Sequence, residues 1–305
     1  MKKIQIANGE MNVSEIALGC MRIADLPMKD LSNLISTALD GGINYFDNAD
    51  IYSNGRSEEA FAKAFKSLGI NREKVFIQTK CGICHGYYDF SKEHILDAVN
   101  GSLKRLNTDY IDVLLLHRPD ALVEPEEVAE AFSILHSSRK VRYFGVSNHN
   151  PMQIELLSKY LSHKIVINQL QFSIANTGMI DSGINVNMKV DGAIDRDGSI
   201  LDYCRLKNIT IQAWSPFQYG FFEGVFLNND KFPKLNEKID EIAKAKGVPN
   251  SAIAISWILR HPAKIQPIVG TTKASHLKDI LKAPEAELTR QEWYEIYKAA
   301  GNKLP

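Results

Sequence analysis

Apolar runs that end in a polar, reactive side chain recur along this chain. Ile43-Asn44-Tyr45-Phe46 leads into Asp47, Val75-Phe76-Ile77-Gln78-Thr79 into Lys80, and Val113-Leu114-Leu115-Leu116 into His117. Val141-Arg142-Tyr143-Phe144-Gly145-Val146 then meets Ser147-Asn148, and Ile165-Val166-Ile167-Asn168 meets Gln169. Short apolar runs of this kind predict strands. The intervening stretches have helical spacing. Leu31, Leu34, Ile35 and Ala38 share one face ahead of Gly41-Gly42, and Ala60, Phe61, Ala64 and Phe65 share another. Ser91, three residues before His94, opens a helix to about Leu106, and Pro125 and Pro151 stand where a first-turn proline is tolerated. Further strands are predicted over 16–20, 209–213 and 265–269, with helices over 199–207, 234–246, 251–260 and 292–300. Strands that repeatedly deliver a functional residue from their C-terminal ends predict an α/β fold, a (β/α)8 TIM barrel. A short β-hairpin through Asn8-Gly9 precedes it, and residues 1–305 read as one domain.

Two stretches break the rhythm. Residues 176–198 are polar and rich in Gly, Asn and Asp, which predicts a surface loop on the rim that carries the strand ends. Residues 217–232 are aromatic: Phe217, Tyr219, Phe221, Phe222 and Phe226 are either loop packing or the wall of an apolar substrate pocket.

Charge narrows the picture. The 36 basic and 36 acidic residues balance, without a block of either sign, which argues against nucleic acid or an anionic membrane as partner. No apolar run approaches the roughly 20 residues of a membrane span, and the N-terminus lacks an apolar signal-like core. A soluble cytoplasmic protein is the expectation. The four cysteines are too scattered for a disulfide framework. Cys81-Gly82-Ile83-Cys84-His85 matches both a haem-attachment pattern and a redox dithiol, yet it follows Lys80 directly and is read as a loop beside the substrate pocket. No second Cys/His pair stands at zinc spacing, so no metal is expected. The absence of Gly-x-Gly-x-x-Gly after a strand removes a Rossmann dehydrogenase.

If the second strand ends near Asp47, Tyr52 folds over the barrel mouth, where Lys80 and His117 arrive from the next two strands. A phenol with a pKa near ~10 is a poor acid at neutral pH. A nearby ammonium lowers that value, and a carboxylate keeps the ammonium charged. Such a phenol can protonate the alkoxide that forms when hydride adds to a carbonyl, while the imidazole orients the carbonyl oxygen. The hydride must come from a cofactor.

Gly42-Ile43-Asn44-Tyr45-Phe46-Asp47-Asn48-Ala49-Asp50-Ile51-Tyr52-Ser53, Ile77-Gln78-Thr79-Lys80 and Asp109-Tyr110-Ile111-Asp112-Val113-Leu114-Leu115-Leu116-His117-Arg118-Pro119-Asp120 resemble signature segments of the aldo-keto reductase superfamily, and the resemblance spans nearly the whole chain. It implies a catalytic tetrad of Asp47, Tyr52, Lys80 and His117, with Tyr52 as proton donor to a small carbonyl substrate. It also implies that Ser147 and Asn148, joined by Gln169, bind a nicotinamide carboxamide. Trp214, in place of the more usual tyrosine, would stack on that ring, and Ser215 would face the pyrophosphate. After the last strand, Gly270, Thr272, Lys273 and His276 fall on the segment that grips the rest of the dinucleotide. Many relatives carry an arginine and an asparagine where His276 and Ile280 stand here. Lys273 can meet a 2′-phosphate as a point charge. The resemblance therefore implies NADPH, with NADH left open by this segment; no oligomer is predicted. A competing expectation comes from the potassium-channel β-subunits of the same superfamily, which keep the tetrad but act mainly through a protein partner.

Overall fold

The computed structural model describes residues Met1–Leu304. An antiparallel hairpin of β1 (Lys3–Ile6) and β2 (Met11–Ser14) comes first. Then follow β3 (Ala17–Gly19), β4 (Tyr45–Asp47), β5 (Phe76–Cys81), β6 (Ile111–Leu116), β7 (Val141–Ser147), β8 (Ile165–Gln171) and β9 (Thr210–Trp214). A small hairpin of β10 (Gln218–Tyr219) and β11 (Gly224–Val225) precedes β12 (Gln266–Val269). Strands β3 to β9 and β12 form a closed parallel barrel in chain order, with β12 paired to both β9 and β3. Helices alternate with the barrel strands along the chain, so the expected (β/α)8 architecture and its N-terminal hairpin are what forms.

The helices begin and bury as the sequence dictates. Ser91 accepts the backbone N–H of His94 at 3.3 Å and starts Lys92–Leu106. Asn150 and Gln153 form a reciprocal capping box ahead of Pro151–Tyr160. The cap of that helix is thus Asn150, which leaves Ser147 and Asn148 for other work. Helix Met28–Asp40 turns Leu31, Leu34, Ile35 and Ala38 into the core between barrel and helices. A second apolar cluster lies inside the barrel, where Ile6, Met11 and Val13 of the hairpin pack on Ala17, Tyr45, Val113, Leu115, Ile167 and Ile268. The hairpin is therefore the floor of the barrel, tied down by the Ser14 N–H donating to the Asn44 side chain at 2.7 Å.

Two loops hold more structure than their composition predicts. Within 176–198, Gly178–Ile184 is a short helix and Asp191–Ala193 a 3-10 turn. Met179 and Ile180 bury there, and the Tyr297 hydroxyl donates to the Asp181 carboxylate at 2.6 Å, fastening the segment to the C-terminal helix. The aromatic stretch divides: Phe226 is core, whereas Phe221 and Phe222 are exposed at the tip between β10 and β11.

Strand register builds one polar layer above the apolar floor. Asp47 lies level with Gln78, and Gln169, Gln212 and Gln266 lie level on β8, β9 and β12. Buried amides must find partners, and these find one another. Gln78 Nε2 donates to Asp47 Oδ1 and Gln212 Oε1 at 2.5 and 2.9 Å, and Gln169 Nε2 donates to the same two oxygens at 3.2 and 3.0 Å. Gln212 Nε2 donates to Gln266 Oε1 at 2.8 Å, and Gln266 Nε2 to the Ser14 carbonyl at 2.6 Å. The Asp47 carboxylate is thus connected to the hairpin floor through side-chain amides.

Candidate active site

Lys80 is fully buried, and its ammonium has three partners in place. Nζ lies 2.7 Å from Asp47 Oδ1 and donates to the Asn48 carbonyl at 2.8 Å and to the Tyr52 hydroxyl at 3.0 Å. An ammonium has three donors, so this set uses all of them. The geometry follows from the backbone. Lys80 stands two positions after Gln78 along β5, so both side chains point to the same face, inward. Beyond β4 the chain turns over the mouth, with the Asn48 N–H donating to the Gln78 carbonyl at 2.8 Å and the Asp50 N–H to the Lys80 carbonyl at 3.1 Å. Tyr52 arrives on that turn, 5.8 Å from the His117 ring in an edge-on arrangement.

Burial would strip Lys80 of its charge, but Asp47 and then Tyr52 outweigh it and hold the ammonium above its ordinary value. For Tyr52 burial is the largest influence and raises the phenol; Lys80 opposes it and Asp47 adds to it. The sequence expectation that the ammonium leaves the phenol more acidic than usual is therefore corrected: Lys80 pulls in that direction, and desolvation wins. His117 is pushed well below the ordinary imidazole range, by burial first and then by Lys80 and Arg118, so it is neutral. Its Nδ1 is buried without a hydrogen-bond partner. Tyr45 stands one step below, its hydroxyl donating at 2.7 Å to Gln78, the amide that meets Asp47.

Beside these four side chains, the Ser147 hydroxyl donates to the Gln169 backbone carbonyl at 3.0 Å and accepts from Asn148 Nδ2 at 2.7 Å. The Trp214 indole donates to Asn148 Oδ1 at 3.1 Å. Ser147, Asn148, Gln169 and Trp214 are thus brought together, and Gln169 reaches the tetrad through Asp47. The Gln169 NH2 group is spent on Asp47 and Gln212, so its carbonyl oxygen is the atom left to meet another group. Ser215 follows Trp214 in a left-handed backbone conformation, with φ of 51°. Gly270 follows β12, and an added Cβ there would meet only the Arg22 guanidinium, at an ordinary contact distance of 3.7 Å. Thr272 is half-buried, while Lys273 and His276 are exposed. Arg22, which pattern reading missed, donates to the Gly270 carbonyl at 2.5 Å, just ahead of the segment that carries Lys273 and His276. Amides, an indole, a backbone open at a glycine and three basic side chains suit a pyridine dinucleotide.

Cys81 is buried and its thiol is pushed well above the ordinary value by burial. Cys84 is half-buried and also raised by burial, so neither is a ready thiolate. The histidine that approaches Cys84 is His94, at 3.9 Å, and not His85 of the sequence motif. With Asp89 these side chains place three possible ligand atoms within 4.8 Å of one another, a grouping that spacing alone did not reveal.

Asp50, on the same turn as Tyr52, has a buried oxygen without a partner. Burial, and after it the charge of Glu58, raise its pKa to about 7 against an ordinary 3.8. The folded chain then keeps a proton that the unfolded chain has lost, so stability falls as pH rises from about 4 to 7. Asp50→Asn should melt progressively higher relative to the parent as pH is raised through that window. A melting-temperature difference that stays flat from acid to neutral pH would contradict this.

A closed parallel barrel with a carboxylate, an ammonium, a phenol and an imidazole at its mouth defines an enzyme of carbonyl or alcohol proton chemistry. The model of the Aldo/keto reductase family matches residues 15–300, and the chain belongs to that family. It is an NAD(P)H-dependent oxidoreductase that interconverts carbonyls and alcohols. The uncharacterized oxidoreductase YcsN of Bacillus subtilis is 35% identical, with 100% of both chains covered. The 6-dehydroglucose reductase of Agrobacterium fabrum is 32% identical over 99% of each chain. Among solved structures, a thermostable aldo-keto reductase, Tm1743, in complex with the inhibitor epalrestat, superposes with a TM-score of 0.80 at 26% identity, over 98% of this chain and 100% of that one. No helix among the described residues is long and apolar enough to cross a membrane.

Proposed function

We propose that this chain, acting as one domain in the cytoplasm, reduces a small aldehyde or ketone with NADPH, and that Asp47, Tyr52, Lys80 and His117 are its catalytic residues. The observation that carries the reading is the buried Lys80 ammonium, which bridges the Asp47 carboxylate and the Tyr52 hydroxyl at 2.7 and 3.0 Å. When bound, the nicotinamide supplies a hydride to the carbonyl carbon. Tyr52 gives its proton to the carbonyl oxygen as negative charge gathers there. The phenolate left behind faces the ammonium, which stabilises it in a site where burial otherwise opposes ionisation. Neutral His117 positions the carbonyl oxygen without competing as a cation. Asp47, held by Gln78 and Gln169, keeps Lys80 charged.

Ser147, Asn148 and the Gln169 carbonyl form the nicotinamide end of the cofactor site, with Trp214 as its aromatic wall and Ser215 toward the pyrophosphate. Gly270, Thr272, Lys273 and His276 form the adenosine end, where exposed Lys273 meets the 2′-phosphate. Quenching of tryptophan fluorescence on titration with NADPH and NADH tests this. NADPH should bind more tightly, and Lys273→Ala should erase about tenfold of the preference, the scale of one charge-assisted contact. Failure of both nucleotides to bind would defeat the reading.

A further inference from the structure

Arg118 carries a positive charge at the barrel mouth that the protein leaves without a counter-ion. It follows His117 directly, and its guanidinium lies 5.6 Å from the Trp214 ring centre and 5.8 Å from that of Phe221. Arg118 has no aspartate or glutamate partner among the described residues; Arg22, Arg139, Arg196, Arg260 and Arg290 also lack one, but Arg118 is the one that directly follows His117 at the mouth. Asp120, two residues further along the chain, is committed elsewhere, accepting the backbone N–H groups of Phe90 and Leu122.

A half-buried cation against aromatic faces is expensive to leave unpaired. Contact of rings with a guanidinium leaves the N–H donors along its edge directed elsewhere, in a fork that fits a carboxylate bidentately. Among the other groups at this mouth, Lys80 is balanced by Asp47, His117 is neutral, and burial raises the pKa of Asp50 to about 7, so Arg118 is the cation here without an ion-pair partner. A single carboxylate matches that charge.

We propose that Arg118 recognises a carboxylate on the substrate, so that the compounds reduced are aldehyde or keto acids. This rests on the reductase reading above and adds the substrate class to it. Binding the carboxylate at Arg118 would anchor the acid end against the wall of Trp214 and Phe221 while the carbonyl reaches Tyr52 and His117.

The test compares 4-carboxybenzaldehyde with methyl 4-formylbenzoate, a neutral ester of similar shape, in the full-length protein with NADPH. The parent should favour the acid in kcat/KM by about tenfold or more, the scale of one hydrogen-bonded charge pair. Arg118→Met should erase that ratio mainly through KM, and Arg118→Lys should retain part of it. Raising the ionic strength should raise KM for the acid more than for the ester, a readout that needs no variant. A parent without preference for the acid, or an Arg118→Met variant that loses acid and ester equally, would overturn the proposal. Turnover of neither aldehyde by the parent would instead remove the reductase reading on which it rests.

Discussion

Tyr52→Phe is expected to lower the turnover number for carbonyl reduction by about 10²–10⁴-fold, the usual contribution of a positioned general acid. Nicotinamide binding should survive, because the nicotinamide-end groups Ser147, Asn148 and Trp214 are hydrogen-bonded to one another and to Gln169, not to the Tyr52 hydroxyl. Loss of that hydroxyl leaves one Lys80 N–H without its acceptor, at a cost of about 1–3 kcal/mol in stability. The variant should fold and bind cofactor yet barely turn over. Tyr45→Phe is the matched control: its hydroxyl bonds Gln78 at 2.7 Å and has no contact with Lys80. Turnover numbers of both variants decide the matter. Near-parental reduction by Tyr52→Phe, or a collapse confined to Tyr45→Phe, would reassign the acid.

Lys80→Met should damage catalysis and folding together. The change strands the Asp47 carboxylate, only 4% exposed, without its ion-pair partner. Breaking a buried pair from one side costs about 3–5 kcal/mol, whereas removing both charges is often near neutral. Chemical denaturation should therefore find Lys80→Met well below the parent, and Asp47→Asn combined with Lys80→Met should regain much of the loss. Activity should not return in the double variant, because the phenolate of Tyr52 no longer faces a cation. A double variant no more stable than Lys80→Met would mean that Asp47 draws its support from Gln78 and Gln169 instead. The Lys273 variant probes an exposed group that is not among the partners of Lys80, so its effect should combine with these nearly additively.

The barrel and the meeting of four side chains at its mouth were legible because a buried parallel strand reads as an apolar run, and its last inward residue breaks the run visibly. Asp47, Lys80 and His117 stand at such breaks, and Tyr52 follows at a fixed offset. Gln78, Gln212 and Gln266 were not legible. Each lies inside a strand-forming run, and only the register of separate strands shows that they complete a layer with Asp47 and Gln169. Arg118 read as one letter of a motif, since its lack of an acidic partner shows only in the folded chain. Helix Gly178–Ile184, under two turns long, is too short to establish a period, and Asp181 joins it to Tyr297, 116 residues further along the chain. The direction of the Tyr52 shift also needed the fold, because burial and the Lys80 charge oppose each other.

The hairpin floor has a consequence for traffic. With Ile6, Met11 and Val13 packed into the lower end of the barrel, the mouth at the strand C-termini is the way in. Two molecules that share a single entrance enter in sequence, and whichever lies deeper leaves last. Reduction by this protein should thus follow compulsory-order kinetics.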